Sequence, residues 1–190
     1  MPDPLAQAAE WLAYAAAAGA PEADAAALAT ASAEGRPSVR FVLVKGIDER
    51  GVRFFTNYGS RKGRELEVNP VAALSMWWPS LQRQLRVEGP VERLPAGESD
   101  AYFASRSRGS RLGAWASRQG SVIGGREELE ARVAELGARF GEEIARPQWW
   151  GGFLLRPETV EFWEGRPNRL HDRTHFVREG EGWRTERLSP

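Results

Sequence analysis

The eight residues Leu81-Gln82-Arg83-Gln84-Leu85-Arg86-Val87-Glu88 alternate in a way that decides the fold. Successive side chains of an extended strand point to opposite faces. The odd-numbered residues, ending at Val87, therefore share one face, and the polar even-numbered residues share the other. The pattern predicts a β-strand. Gly89-Pro90 follows directly, and this pair predicts that a bulge or a sheet edge interrupts the strand there.

Further strands are predicted on both sides of this stretch, separated by turn sequences. Glu34-Gly35 predicts a hairpin turn, residues 48–51 predict a second turn, and Gly180-Glu181-Gly182 predicts the turn of the last hairpin. Residues 25–32 allow two interpretations, because alanine favours a helix whereas the Glu34-Gly35 turn favours a strand; we favour the strand. That strand comprises residues 28–31. The other predicted strands are residues 39–44, 52–56, 71–78, 153–155, 159–163, 174–178 and 183–188.

Four helices are predicted, at residues 4–18, 61–68, 98–105 and 127–140. Asp3 and Ser60 are suited to cap the first two, and Gly19 ends the first. Strands and helices do not alternate as they do in a doubly wound parallel sheet. The order instead predicts a mainly β, α+β fold, namely an antiparallel barrel with peripheral helices.

Composition limits the class of protein. The 190 residues suit a single domain over residues 1–190. The 26 basic and 26 acidic residues balance, which argues against binding to nucleic acid or to an anionic membrane. Without cysteine there are no disulfides, thiol nucleophiles or Cys-ligated metals. No apolar run reaches the ~20 residues of a membrane span. Met1-Pro2-Asp3-Pro4 lacks the features of a signal peptide, so we expect a cytoplasmic protein.

Two basic clusters lie in the first third of the chain. Arg40 and Lys45 stand five positions apart, so a flat strand puts them on opposite faces and only a bulge or strand end near Lys45-Gly46 lets both reach one ligand. The alternative is a strand with charged ends. Residues 56–62 combine a helix N-terminus with hydroxyls, Arg61 and Lys62, which favours a bound phosphate. The alternative there is a solvated capping turn.

Two further clusters lie later in the chain. Residues 102–111 contain three arginines and three serines, and we interpret them as a flexible, donor-rich loop for phosphate oxygens rather than a solvated basic or phosphoserine-type loop. Residues 162–173 pack Trp163, His171 and three arginines into one turn-prone run. Buried charges need partners, so this run is untypical of a core segment. It suits a planar, anionic ligand, with an ordinary inter-strand loop as the alternative.

Several kinds of site are disfavoured. His175 is the only other histidine near His171 and Asp172, and cysteine is absent, so a metal site is not expected. The sequence contains no G-x-S-x-G elbow, no G-x-G-x-x-G fingerprint and no Walker A loop, which argues against an α/β-hydrolase, a Rossmann site and a P-loop. Two phosphate-seeking clusters together with many tryptophans suggest a flavin mononucleotide and a phosphorylated substrate.

The chain resembles the pyridoxine (pyridoxamine) 5′-phosphate oxidase family from about Pro21 to Pro190. The resemblance implies an FMN-binding split β-barrel that forms a homodimer with FMN at the interface. Residues 1–20 then form an N-terminal helix, and residues 21–190 form the barrel and dimerisation region. Six segments in the family's order carry the resemblance: residues 40–46, 55–63, 83–89, 102–106, 113–119 and 169–173.

The resemblance also implies the site residues. The FMN contacts are Arg40, Phe41, Val42, Leu43, Val44, Lys45, Phe55, Thr56, Arg61, Lys62, Gln84, Trp163 and Arg173. Two more residues reach the FMN of the other subunit, namely Gln119 and Gly120. The phosphorylated pyridine contacts Lys45, Tyr102, Arg106, Ser110, Arg169, Leu170 and His171. Of these, Arg169 and His171 are the catalytic residues. Phe55 stands where the family often has tyrosine, and Gly120 stands where it commonly has serine.

The reaction implied is oxidation of pyridoxamine or pyridoxine 5′-phosphate at C4′, with FMN and O2, to pyridoxal 5′-phosphate. Three alternatives remain open. One is a split-barrel flavin or deazaflavin enzyme acting on another substrate, such as a phenazine precursor, although residues 169–173 argue against the deazaflavin version. Another is a non-catalytic binder of FMN or pyridoxal phosphate. A nucleic-acid module is disfavoured by the neutral net charge.

Overall fold

The computed structural model describes residues 3–190. Met1 and Pro2, on which the signal-peptide prediction partly rests, lie outside the described residues. Within that range the helices are α1 (Pro4–Ala17), α2 (Arg61–Val68), α3 (Ala96–Ser105), α4 (Arg108–Ala116) and α5 (Arg126–Arg139). The strands are β1 (Ala25–Ala31), β2 (Pro37–Asp48), β3 (Gly51–Asn57), β4 (Val71–Trp78), β5 (Arg83–Arg93), β6 (Trp150–Leu155), β7 (Thr159–Glu164), β8 (Asp172–Glu179) and β9 (Gly182–Arg187).

Six strands close into an antiparallel barrel. Their order is β4-β1-β2-β3-β6-β5, and pairing between β4 and β5 completes the circle. Strands β7, β8 and β9 continue the sheet outward from β5 as successive antiparallel neighbours. Closure matters because it leaves few unpaired strand edges. The predicted fold, an antiparallel barrel with peripheral helices, is confirmed.

The barrel interior is filled by alternate residues of its strands. Val44 of β2, Phe54 of β3 and Leu85 of β5 are among the buried residues of one large cluster. Helix α1 covers one side of the barrel, where the ring of Trp11 meets that of Phe162 edge-on at 4.8 Å. As predicted, Asp3 caps this helix, and its carboxylate accepts a hydrogen bond of 3.0 Å from the backbone N–H of Leu5.

A smaller apolar cluster lies beneath α3, α4 and α5. Phe103, Leu112, Ile144 and Trp150 are its buried members. This cluster joins the three helices to the first residue of β6. The cluster therefore gives rigid support to α3 and α4, and to the side chains that these helices direct outward on the side of the barrel.

The prediction for residues 81–90 was partly wrong. Strand β5 begins only at Arg83, because Pro79–Leu81 form a 3₁₀ turn and Gln82 adopts a left-handed φ of 51°. Gly89 and Pro90 do not interrupt the strand, which continues to Arg93 while its neighbour changes from β7 to β6. The β6–β7 connection crosses so closely that a Cβ on Gly89 would lie 2.1 Å from the carbonyl oxygen of Arg156. The glycine thus permits a close crossing and does not end the strand.

The prediction of a flexible loop at residues 102–111 was also wrong, because residues 102–105 belong to α3 and residues 108–111 to α4. Helix α4 begins at Arg108, and the hydroxyl of Ser107 caps it by accepting a hydrogen bond of 3.3 Å from the backbone N–H of Ser110. The side chain of Arg108 donates to the carbonyl oxygens of Gly137 and Phe140 at the end of α5. Cations stabilise helix C-termini, so this arginine serves helix packing.

Candidate functional site

A pocket of about 430 Å³ opens on the side of the barrel, between β2, β3, α3 and α4. Its walls combine positive, hydroxyl and aromatic side chains, as expected of a site for an aromatic anion. Eight of the residues singled out in the sequence line it: Leu43, Lys45, Phe55, Thr56, Tyr102, Arg106, Ser110 and Gln119. Residues from three separate basic clusters, at residues 40–45, 56–62 and 102–111, therefore meet in this pocket.

An aromatic stack forms one wall of this pocket. The ring of Phe55 lies parallel to that of Tyr102, with centroids 4.0 Å apart. The ring of Trp150 is stacked relative to both, with its centroid 5.6 Å from that of Phe55 and 6.2 Å from that of Tyr102. Such stacks are rigid, apolar surfaces, and a flat heterocycle can pack against them.

Arg106 projects into the pocket without an acidic partner. Its Nη1 atom is buried and lacks a hydrogen-bond partner within residues 3–190. Burial lowers the pKa of this guanidinium. Buried charges are normally paired, so an orphaned buried N–H beside an open pocket suits an anionic ligand.

Lys45 lines the same pocket, and β2 contains a bulge at this residue. The register between β2 and β3 shifts between Val44 and Gly46, so of the two irregularities considered near Lys45-Gly46, a bulge or a strand end, the bulge is present. The ammonium of Lys45 forms an ion pair of 2.6 Å with Asp24, just before β1. Arg40, five residues earlier, is not among the residues that line the pocket. Although the bulge is present, it does not bring Lys45 and Arg40 into the same pocket.

A second cationic cluster lies where α2 begins. Lys62 is 6% exposed, and its Nζ donates a hydrogen bond of 3.0 Å to the hydroxyl of Thr56. Burial, together with the nearby charge of Arg40, lowers the pKa of Lys62 to about 8. The oxygen of the Gln119 side chain lies 3.0 Å from the Thr56 hydroxyl and 3.5 Å from the ammonium. The resemblance implied that Gln119 serves the other subunit, whereas here it contacts residues of its own chain.

Glu65 balances part of this charge. Its carboxylate accepts from Arg61 at 2.8 Å and from Arg40 at 3.3 Å, and the hydroxyls of Thr30 and Ser38 also donate to it. Although burial raises the pKa of Glu65, the hydrogen bonds outweigh it and lower the pKa to about 2. Two arginines thus share one carboxylate, and Lys62 forms no ion pair within the described residues. The surplus of positive charge suits a phosphate.

The remaining predicted residues form a third group, on the outer face of the sheet beyond β5. Gln84 lies opposite Trp163, which lies opposite Arg173 in the next strand. Trp163 packs against Trp77 at 5.6 Å and against the ring of His171 at 4.4 Å. The pocket described above has none of these residues in its lining.

The turn that carries the predicted catalytic residues has an unusual backbone. Asn168 and Arg169 both adopt left-handed φ values, of 59° and 61°. The backbone N–H of Arg166 donates to Nδ1 of His171 at 3.1 Å, which fixes the ring. Arg169 and Leu170 are exposed. Non-glycine residues rarely adopt this conformation, and it is often found at functional sites.

The predicted FMN-contacting residues of strand β2 lie alternately on its inner and outer faces. The side chains of Val42 and Val44 are buried in the barrel core, so a ligand outside the barrel can touch only their backbone. Phe41 and Leu43 point outward, and Phe41 is 77% exposed. Gly120, with a φ of 87°, lines a neighbouring pocket near α5.

Sequence reasoning missed Asp24, Glu65 and Trp150, each of which contacts a predicted residue only through the fold. One signal was available for the lysines: of 26 Lys and Arg residues, only Lys45 and Lys62 are lysines. Within residues 3–190, no group of three or more His, Asp or Glu side chains is placed to hold a metal ion. None of the helices described is long and apolar enough to cross a membrane.

Comparisons with known sequences agree over the whole chain. Residues 12–140 match the family model described as pyridoxamine 5′-phosphate oxidase, and residues 150–190 match one described as the pyridoxine 5′-phosphate oxidase C-terminal dimerisation region. A pyridoxine/pyridoxamine 5′-phosphate oxidase of Rubrobacter xylanophilus is 57% identical over all of this chain and 88% of its own length. One of Anaeromyxobacter dehalogenans is 58% identical over all of this chain and 96% of its own.

Two solved structures are also similar. PhzG from Burkholderia lata 383, in complex with tetrahydrophenazine-1-carboxylic acid, superposes with a TM-score of 0.94 at 37% identity, covering 99% of this chain and 93% of PhzG. A pyridoxamine 5′-phosphate oxidase-related, FMN-binding protein of Nostoc punctiforme superposes with a TM-score of 0.80 at 20% identity, covering all of both chains. The second similarity supports the fold alone.

Proposed function

Because the chain belongs to the pyridoxamine 5′-phosphate oxidase family, we propose that it oxidises pyridoxamine and pyridoxine 5′-phosphate to pyridoxal 5′-phosphate, with FMN as cofactor. The observation that carries this proposal is the presence of two separate cations that have no acidic partner in the described part of the chain. One is the ammonium of Lys62, and the other is the guanidinium of Arg106. Two phosphate-bearing ligands account for both.

The residues present fit FMN. Lys62, Arg61 and Arg40 would hold its phosphate, since they carry three positive charges against the one negative charge of Glu65. The hydroxyl of Thr56 and the start of α2 add hydrogen-bond donors. When bound, FMN would supply the redox chemistry of the reaction, in which the substrate loses a hydride from C4′ and O2 is reduced to H2O2.

The chain's own residues bind and orient the substrate. Arg106, Ser110 and Lys45 line the pocket and would hold the substrate phosphate. Tyr102 and Phe55 give the pyridine ring a flat wall. Positioning of this kind lowers the entropy cost of reaching a reactive pose. Water hydrolyses the oxidised amine to the aldehyde and ammonia, whereas the oxidised alcohol is already the aldehyde.

We propose that two copies of the chain complete each site. The third group of residues, which includes Arg169, His171 and Arg173, does not contribute to the pocket lining of its own chain. Phe41 and Val39 expose apolar side chains on β2, at 77% and 69%. Exposed apolar surface of this kind is typical of an interface. In the dimer, Arg169 and His171 of one chain would hold the pyridine ring above the pocket of the other.

A second candidate reaction is oxidation of a reduced phenazine carboxylate. The overall similarity to PhzG supports it. Such a ligand carries a carboxylate in place of a phosphate. It would therefore accept fewer hydrogen bonds from Arg106 than a phosphate with three terminal oxygens.

The two reactions are separated by one assay. Purified protein is loaded with FMN and supplied in air with pyridoxamine 5′-phosphate, pyridoxine 5′-phosphate or a reduced phenazine carboxylate. We expect both vitamin B6 phosphates to yield pyridoxal 5′-phosphate and H2O2 in equal amounts, with ammonia from the amine only. If only the reduced phenazine carboxylate is oxidised, the first proposal is wrong and the second reaction is supported. Bound flavin without any turnover would indicate a non-catalytic binder.

A further inference from the structure

The half-buried guanidinium of Arg106 has an aromatic neighbour where such a cation usually has an acidic one. The Cζ atom of Arg106 lies 4.8 Å from the centroid of the Trp150 ring. A second ring, that of Phe103, lies 5.7 Å away. A guanidinium over a ring face is attracted by the negative charge of the π-system.

Trp150 itself is held in place on several sides. Its ring stacks on Phe55 at 5.6 Å and packs edge-on against Phe103 at 5.1 Å. Its backbone carbonyl accepts a hydrogen bond of 2.7 Å from Nη1 of Arg146. The ring therefore has little freedom to turn away from the pocket that it lines.

We propose that Trp150 is a positioning residue, which holds the guanidinium of Arg106 toward the pocket so that it can bind the phosphate of the substrate. This inference rests on the proposed function, because it takes a phosphorylated pyridine as the ligand. A carboxylate at the place of Trp150 would also hold Arg106, but it would neutralise the cation and occupy its N–H groups. The aromatic ring attracts the cation and leaves those donors free for phosphate oxygens.

The competing interpretation is that Trp150 only fills the apolar cluster beneath the helices. The two roles differ in what they do to phosphate recognition. Loss of a packing residue loosens the pocket for every substrate alike, whereas loss of a positioning residue weakens only substrates that carry the phosphate. The informative quantity is therefore the ratio of kcat/KM for pyridoxamine 5′-phosphate to kcat/KM for pyridoxamine.

The test uses the FMN-loaded protein and the variants Trp150→Leu and Trp150→Phe. We expect Trp150→Leu to lower the ratio about 3- to 30-fold, the range of a cation–π contact, and Trp150→Phe to retain most of it. Trp149→Leu is the matched control, because Trp149 is adjacent in sequence and does not line this pocket. Its ratio should equal that of the unaltered protein.

A double-mutant cycle makes the test specific to Arg106. In the Arg106→Ala background, Trp150→Leu should cause no further change in the ratio. Equal losses for both substrates, or an undiminished effect of Trp150→Leu without Arg106, would overturn the inference. If thermal unfolding shows that Trp150→Leu does not fold, the same cycle is run with Trp150→Phe, which should lower the ratio slightly and only when Arg106 is present.

Failure of this inference is distinguishable from failure of the proposed function. If the unaltered protein oxidises pyridoxamine 5′-phosphate and the ratio does not respond to Trp150, only the positioning role is wrong. If the unaltered protein does not oxidise it, the proposed function is wrong and the positioning role falls with it.

Discussion

The ammonium nitrogen of Lys62 lies 3.0 Å from the hydroxyl oxygen of Thr56, at the end of the barrel where α2 begins. The lysine is buried and shares its surroundings with Arg40, which lowers its pKa further than burial alone. A charge in this position is unfavourable in the free protein and becomes favourable when an anion binds. Binding of an anion should therefore remove the unfavourable electrostatic free energy of the buried Lys62 ammonium.

Replacing Lys62 by Met tests whether this ammonium binds the FMN phosphate. We expect the Kd for FMN to rise about 10- to 100-fold, the value of one or two charge-assisted hydrogen bonds. The affinity for riboflavin, which lacks the phosphate, should not change. Fluorescence titration of each flavin gives both constants. Arg36→Met, in an exposed turn, is the control.

The thermal stability of the same variant separates binding from folding. Because the ammonium is buried without an ion pair, the ligand-free Lys62→Met protein should unfold at the same temperature or higher. A lower unfolding temperature together with equal losses for FMN and riboflavin would mean that Lys62 is a structural residue.

FMN affinity should also depend on pH. The pKa of Lys62 is about 8 in the folded, ligand-free protein, against 10.5 as its ordinary value. A bound phosphate raises this pKa again, so binding above pH 8 must take up a proton. The Kd should therefore be flat just below pH 8 and rise by up to about tenfold per pH unit above it.

The same shift predicts the sign of the effect on stability. Between pH 8 and 10.5 the unfolded chain holds this proton and the folded chain does not, so the contribution of Lys62 to the free energy of unfolding rises with pH. Both pH dependences should disappear in Lys62→Met. Titration of FMN at several pH values checks the first, and denaturant unfolding of the ligand-free protein checks the second. A Kd that stays constant to pH 10 would contradict this assignment.

Arg169 should affect turnover without affecting cofactor binding. Its exposed, left-handed position in the turn is suited to contact a substrate held by another chain. We expect Arg169→Ala to lower kcat/KM for pyridoxamine 5′-phosphate by about 10- to 100-fold while the Kd for FMN stays the same. Steady-state kinetics and flavin fluorescence measure the two. Arg187→Ala, an exposed arginine of β9, should change neither.

Gly89 should be irreplaceable for packing. A methyl group there would meet the carbonyl oxygen of Arg156 at 2.1 Å, so Gly89→Ala should destabilise the protein by at least about 2 kcal/mol. Gly97 is the matched control, since it lies in α3 with nothing within 4 Å of the added Cβ. Gly97→Ala should stabilise by about 0.5–1 kcal/mol. Denaturant unfolding compares the two, and similar values for both would refute the close crossing.

Most of the fold follows from local sequence. The alternation from Arg83 onward, the turns and the Ser60 cap all act within a few residues, so their consequences can be predicted without the tertiary structure. Two features depend on distant contacts. Gly89 packs against the β6–β7 connection, and Arg108 bonds to carbonyls at the end of α5. Neither partner can be identified from the neighbouring sequence.

The candidate site likewise combines features that could be predicted from local sequence with others that depend on distant contacts. Runs of basic and hydroxyl residues predicted the clusters that contain Lys45, Lys62 and Arg106, because a local excess of hydrogen-bond donors is visible in the sequence. The residues that organise those cations are far away in the chain. Trp150 is 44 positions from Arg106, and Asp24 is 21 positions from Lys45. Only the fold brings each pair together.

Mixing two variants of low activity tests the central claim, that each site takes its pocket from one chain and Arg169 from the other. Arg106→Ala and Arg169→Ala are unfolded together, refolded with FMN and assayed at low pyridoxamine 5′-phosphate. A shared site leaves one intact site in each mixed dimer, so about a quarter of the unaltered activity should return. Activity that stays at the level of the separate variants, although mixed dimers have formed, would contradict the account.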